Sequence, residues 1–188
     1  MTRPLPAMIQ VMEARTSVAP ALSLPVEGTS EARRFEAIYR ECFGSINAYA
    51  RRRLPARADD VVAETFLVVW RRLDEIPADA LPWLYGVARR VVSDFRRSAQ
   101  RQEAVAERLA GGRQPEPWEG ASDAELLSAL TRLSESDREL LLLVYWEDLE
   151  PRRAARAFGC SRATVATRLW RAHGRLRDEL ERMRGERR

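Results

Sequence analysis

Few residues in this 188-residue chain could carry out a reaction, and their spacing assembles no reaction centre. There is one histidine, His173, and two cysteines, Cys42 and Cys160, which lie far apart and outside any C-x-x-C. That argues against a histidine-based metal site, a Ser/His/Asp hydrolase and a disulfide framework. No pair of acids, Gly-rich phosphate loop or nucleophile–base set stands out, so no catalytic residue, metal ligand or cofactor is assigned and no enzyme is expected. What the side chains offer instead is charge. All 32 basic residues are arginine, to which we attach no functional weight. Their distribution is uneven. Residues 1–98 hold 15 arginines and 12 acids, residues 123–150 hold 2 and 8, and residues 151–188 hold 12 and 4. An acidic block followed by a basic end reads either as a footprint for a polyanion or as a solvated basic helix.

The basic end has more than charge. Residues 151–176 read PRRAARAFGCSRATVATRLWRAHGRL. Pro151 suits a first helical turn, Gly159 suits a turn with positive φ, and Ser161 suits a helix cap. Val165, Leu169, Ala172 and Leu176 recur at helical spacing as one buried stripe. Together these predict a helix-turn-helix, with Arg162, Ala163, Ala166, Thr167, Trp170 and Arg171 on the face opposite the stripe. Arginine can pair with guanine edges, Thr167 can bond a base or a phosphate, and small alanines let a backbone approach closely. The plainer alternative is a helical hairpin with a basic outer face; motif and charge together favour DNA. The residues alone favour packing against a neighbouring helix for Trp170.

Two earlier helices carry the other candidates. In 58–73, Val62, Phe66, Val69, Trp70 and Leu73 share a core face, yet Val61, Leu67 and Val68 stand beside Asp60 and Glu64 on the other. Apolar residues mixed with charge point to a protein-binding surface, or to cover by another helix of the same domain. In 80–97, Leu84, Val87, Val91 and Phe95 face inward. Arg90 and Arg97 fall on one flank, and Arg89 and Arg96 on another near Tyr85. Basic residues beside an aromatic suit single-stranded or opened nucleic acid, or simply water.

The elements that must position these residues are helices: 31–53, 58–73, 80–97, 123–133, 135–146, 151–158 and 161–183, with Ser30 and Ser134 as caps. No strand signal is present. The fold class is therefore all-α, with two small helical domains, 31–98 and 122–186. They are joined by a linker, 99–121, whose Gly and Pro stop any helix and whose length should let the domains sit apart. Residues 1–30, rich in Pro, Ala, Ser and Thr, read as a disordered tail, and Met8 or Met12 as an alternative start. No segment approaches the ~20 apolar residues of a membrane span, and the N-terminus lacks a secretory pattern, so a cytoplasmic location is expected.

With these residues in view, the chain resembles a bacterial RNA polymerase sigma factor of the extracytoplasmic-function group. DDVVAETFLVVWRRL (59–73) is similar to the family's polymerase-binding helix in region 2. WLYGVARRVVSDFRR (83–97) is similar to the W-L-x-x-[IV]-A-R-N-x-x-x-D-x-x-R-R pattern that follows it. Residues 126–148 and 160–180 resemble the start and the recognition helix of region 4. The resemblance covers both domains in order. It implies a sigma region 2 bundle and a sigma region 4 helix-turn-helix. It implies core polymerase binding, at the large-subunit clamp and flap, through Asp60, Val61, Glu64, Leu67 and Val68. It implies minus-35 recognition by Arg162, Ala163, Ala166, Thr167, Trp170 and Arg171. It implies minus-10 capture and melting by Asp74, Glu75, Ile76, Arg89, Arg90, Arg96 and Arg97; flipping a base out exposes its pairing edge. The partners implied are core RNA polymerase and promoter DNA, and many relatives also have an anti-sigma factor. Arg90 stands where the family usually has Asn, and Glu150-Pro-Arg-Arg where it more often has a Ser cap and acids. The competing reading is a dimeric helix-turn-helix regulator that binds operators unaided.

Overall fold

A computed structural model describes residues 29–107 and 124–186. The expected tail and most of the expected linker lie outside them. Seven α-helices account for the regular structure of the described residues: α1 (Ser30–Arg53), α2 (Ala58–Arg71), α3 (Ala80–Glu107), α4 (Ala124–Arg132), α5 (Glu135–Tyr145), α6 (Pro151–Phe158) and α7 (Arg162–Glu186). Short 3-10 turns at Pro55–Arg57 and Leu73–Glu75 join α1 to α2 and α2 to α3. Helices α1, α2 and α3 pack on one another as a first bundle, and α4 to α7 form a second. Among the described residues no helix is long and apolar enough to cross a membrane.

The helix boundaries follow local chemistry. Thr29, not Ser30, caps α1, its hydroxyl accepting from the Ala32 amide at 3.1 Å. Ser134 caps α5 by accepting from the Asp137 amide at 3.2 Å. Ser161 caps α7 by accepting from the Thr164 amide at 3.1 Å. Helix α2 ends two residues short of the expected Leu73, because the chain tightens into the Leu73–Glu75 turn. Helix α3 runs past the expected boundary at 98 to Glu107. The sequence from Ser98 is rich in Ala, Gln, Glu and Arg, all good helix formers, and meets no Gly or Pro before Gly111.

The core of the first bundle is aromatic and β-branched. Phe66 and Val69 of α2, Leu84 of α3, and Ile46 and Tyr49 of α1 are fully buried. Tyr39 meets Phe66 edge-on at 4.7 Å, and Tyr49 meets Tyr85 at 5.5 Å, both within the range where aromatic pairs attract. The second bundle closes on leucine, with Leu140, Leu143, Leu149, Val165 and Ala172 fully or almost fully buried. The two cores are continuous, since α6 packs against α3. The domains expected to sit apart are therefore docked on each other.

Gly159 ends α6 in the left-handed region, φ 62 and ψ 36, and its amide donates back to the Arg156 carbonyl at 3.1 Å. This bend sets α7 at an angle to α6 and makes the predicted helix-turn-helix. A side chain in that conformation costs about 1–2 kcal/mol. We expect Gly159→Ala to lower unfolding stability by about that amount in urea titration, with Gly159→Asn closer to wild type because Asn tolerates the left-handed region.

Candidate nucleic-acid and protein interfaces

On α7 the buried stripe and the outer face separate as predicted. Val165, Leu169 and Ala172 are buried and Leu176 is half-buried. Arg162, Ala163, Ala166, Thr167, Trp170 and Arg171 are all exposed on the other side. Trp170 does not pack against a neighbouring helix, contrary to what its residue type alone favoured. It is 76% exposed, flanked in sequence by Arg171. A large apolar ring left in water on a basic helix face is free for a base or a thymine methyl to meet.

The candidates in the first bundle split. Glu64 of α2 is exposed, and Leu67 and Val68 are half-buried. Asp60 takes an ion pair from Arg57 at 3.2 Å. Val61 departs from expectation: it is 0% exposed and belongs to the core, where its carbonyl accepts from the buried Thr65 hydroxyl at 2.7 Å. The stripe that α2 buries is wide enough to include position 61 because α1 and α3 flank it on two sides. Val61 is thus removed from the set that could meet a partner. Between α2 and α3 lies a groove of about 430 Å³, its floor made by Val87, Val91 and Phe95 and its rim by Glu64, Arg72 and Arg90. Arg72 carries no apolar signal and was not singled out from sequence, but it brings the exposed edge of α2 to the exposed flank of α3.

In the turn after α2, Asp74 and Glu75 are exposed, and Glu75 accepts from Arg72 Nε at 3.0 Å. Its carboxyl is held below the usual range by that hydrogen bond. Ile76 is the second correction. It is 3% exposed, packed inward, and its carbonyl accepts from Arg34 Nη2 at 2.7 Å. Its side chain is not offered to a ligand. Tyr85 is a third, since it is buried against Tyr49 and cannot stack on a base. Burial, with Glu147 next in effect, pushes its phenol up to about 12.

The four α3 arginines occupy two environments. Arg90 and Arg97 are exposed, and Arg97 pairs with Asp94. Arg89 and Arg96 turn toward the second bundle. The Arg89 guanidinium lies over the Phe158 ring at 4.6 Å, with Nε buried and without a hydrogen-bond partner among the described residues. Arg96 donates to the Arg53 carbonyl at 2.9 Å and to Glu135 at 3.3 Å.

The junction between the bundles was not foreseen. Arg53, buried at the end of α1, donates from Nε to Glu139 at 3.1 Å and from Nη1 to Glu147 at 3.0 Å. Arg52 joins Glu147 through Nε at 3.2 Å. The Tyr49 hydroxyl donates to Glu139 at 2.8 Å. Burial first, then the neighbouring Glu139 carboxylate, push the Tyr49 phenol well above its ordinary value, so it stays a donor. Burial works against the Arg53 charge, but the Glu139 and Glu147 carboxylates outweigh it and hold the guanidinium firmly protonated. One signal for this cluster was present. Arg53 falls in phase with Ile46, Tyr49 and Ala50, so a charge occupies a position on the apolar stripe of α1.

Comparisons with known proteins agree with the two-part layout. Residues 38–102 match the family model Sigma-70 region 2, and residues 123–176 match Sigma-70, region 4. The ECF RNA polymerase sigma factor SigL of Mycobacterium tuberculosis is 32% identical over 162 residues, covering 81% of this chain and 92% of that protein. The sigma-factor relative RfaY of Xanthomonas campestris is 34% identical over 137 residues, covering 66% of this chain and only 34% of its own length. The sigma factor RpoE of Bartonella quintana, solved in complex with the anti-sigma factor NepR, superposes with a TM-score of 0.59 at 21% identity. That match covers 79% of this chain and 98% of the other and speaks to the fold.

The contrast between Val61 and Trp170 is testable. Val61→Ala should cost about 2 kcal/mol of unfolding free energy, as buried methyl deletions do. Trp170→Ala should stay within about 0.5 kcal/mol of wild type, as exposed substitutions do. Chemical denaturation of the two variants measures both.

Proposed function

The chain belongs to the sigma-70 family of RNA polymerase sigma factors, in its extracytoplasmic-function group, and from that premise we propose that it serves as a promoter-specificity subunit of the polymerase. It binds core RNA polymerase, brings it to promoters with minus-35 and minus-10 elements, and starts transcription in the cytoplasm. The observation that carries this reading is the separation on α7, where six exposed residues face away from the buried stripe of Val165, Leu169 and Ala172. Two matched sigma regions in the correct order support it.

In this reading the α7 face enters the minus-35 major groove. Arg162 and Arg171 meet guanine edges or phosphates, and Thr167 and the small alanines allow close approach. Trp170 supplies apolar contact. The exposed edge of α2, with Asp60, Glu64, Leu67 and Val68, meets the polymerase clamp, and the second bundle meets the flap. Asp74 and Glu75 border the loop that takes a flipped minus-10 base, while Arg89, Arg90, Arg96 and Arg97 follow the backbone of the opening strand. These positioning and binding roles involve no chemistry of the chain's own; bond formation belongs to the polymerase. A cognate anti-sigma factor, of the kind seen with the Bartonella protein, would act by covering one of these faces.

The test is reconstituted transcription. Added to sigma-free core polymerase and genomic fragments, the chain should yield defined RNA 5′ ends sharing two upstream motifs at fixed spacing. Absence of core binding and of new starts by the folded protein would overturn the reading. Arg171→Ala should lower promoter use by about tenfold or more, the scale of one base-reading arginine, with polymerase binding unchanged in gel filtration. Glu64→Arg should do the reverse, weakening co-elution with core polymerase while leaving the α7 face intact.

A further inference from the structure

Where α5 meets α1 and α3, the packing leaves a small polar cavity of about 90 Å³. That is space for about three liquid waters, or for one small oxyanion. Arg89, Ser93 and Arg96 of α3 form one wall and Ser136 of α5 the other. The donors on these walls are not used up. Arg89 Nε is buried and has no hydrogen-bond partner among the described residues, a costly state for a charged donor. Ser136 Oγ accepts from Arg168, which leaves its own hydrogen to donate. Arg96 gives N–H groups to Glu135 and to the Arg53 carbonyl, and a guanidinium carries more than those. Ser136 also lies in the first turn of α5, so the positive end of that helix is at the cavity.

The acids nearby are already engaged. Glu139 accepts from Tyr49 and Arg53, and Glu135 from Arg96. Glu147 is shared by Arg52 and Arg53. Against these carboxylates stand Arg52, Arg53, Arg89, Arg96 and Arg138, with Arg168 reaching Ser136 from α7. Burial first, and then the Arg96 charge, pull the Arg138 guanidinium below its ordinary value, as expected where positive charge is in excess. Unbalanced charge in a half-buried place is costly unless an anion joins it. We propose that the cavity binds a small tetrahedral oxyanion of the phosphate class, held by Arg89 Nε, Arg96 and the hydroxyls of Ser93 and Ser136. The site takes a free ion and not a nucleic-acid backbone, because a phosphodiester would bring two sugars into a space that holds neither. Its donors come from α3 and α5 together, so the ion binds only when both are in place and by linkage stabilises the folded chain. The site stands on the geometry of this junction and is independent of the promoter reading.

The test is direct binding to the full chain. A melting shift alone does not discriminate, since phosphate stabilises folded proteins in general by exclusion from their surface. Equilibrium dialysis with radiolabelled inorganic phosphate at constant ionic strength should show a saturable site that sulfate competes for and planar nitrate does not. Arg89→Gln removes the charged donor and should weaken binding about tenfold or more, the scale of one charge-assisted hydrogen bond. Ser93→Leu fills the cavity with apolar bulk and should abolish binding, with helix content by circular dichroism unchanged. Absence of saturable phosphate binding by the wild type overturns the proposal and leaves a hydrated cavity. Full-strength binding by both folded variants overturns it too. Anisotropy of fluorescein-labelled oligo-dT separates the two sources of phosphate. If free phosphate does not bind while oligo-dT binds and loses affinity in Ser93→Leu, the cavity serves a nucleic-acid backbone and the free-ion site is wrong. Reconstituted transcription reports on the promoter reading separately, so either can fail without the other.

Discussion

Much of this molecule is organised by a single buried cation. Arg53 leaves the end of α1 and is divided between Glu139 on α5 and Glu147 just beyond it, with Tyr49 completing the set. A guanidinium suits the place because it offers donors in a fixed fork, so it can hold two carboxylates from separate parts of the chain at once. Those carboxylates fix where α5 lies against α1. Helix α6 follows by the short turn through Leu149, which is buried while Asp148 takes a positive φ of 50. The orientation of α7, and hence of its outer face, depends in turn on α6 and Gly159.

The helices were legible because each has an apolar stripe of helical period and ends at a residue that caps or breaks it. Pro151, Gly159, Ser134 and Ser161 mark boundaries through local hydrogen bonds and allowed φ values, which need no knowledge of the rest of the chain. Helix α3 extends to Glu107, past the end of its apolar stripe at Phe95, because an apolar stripe marks only the packed part of a helix, whereas the residues from Ser98 are helix formers with no breaker before Gly111. The docking of the bundles was missed for a different reason. It rests on pairs separated by 39 to 95 positions, such as Arg96 with Glu135 and Arg52 with Glu147, and periodicity within one helix cannot report who stands opposite.

The same distinction governs the sites. The outer face of α7 was readable because a helix with one buried stripe has an opposite side by geometry. On α2 the rule failed at Val61, because two neighbouring helices bury a wider arc than one stripe. Ile76 and Tyr85 failed because their apolar surface is satisfied inside the first bundle, a fact fixed by tertiary packing and not by the charges beside them. Trp170 failed in the other direction: residue type argued for burial, and the position on α7 left it in water.

Gly86 of α3 lies so close to α6 that a Cβ there would stand 2.8 Å from the Ala157 carbonyl oxygen, which has a consequence for modular engineering. Sigma-like chains invite recombination, since each half is a helical bundle of its own. Here the seam between halves is a steric and electrostatic lock whose parts are distributed over both. A transplanted second half with a bulkier α6, or without acids at 139 and 147, would no longer fit its host. Such a chimera would keep the donor's α7 face but lose the docked arrangement of the two bundles, so the halves cannot be exchanged independently unless the seam is carried along.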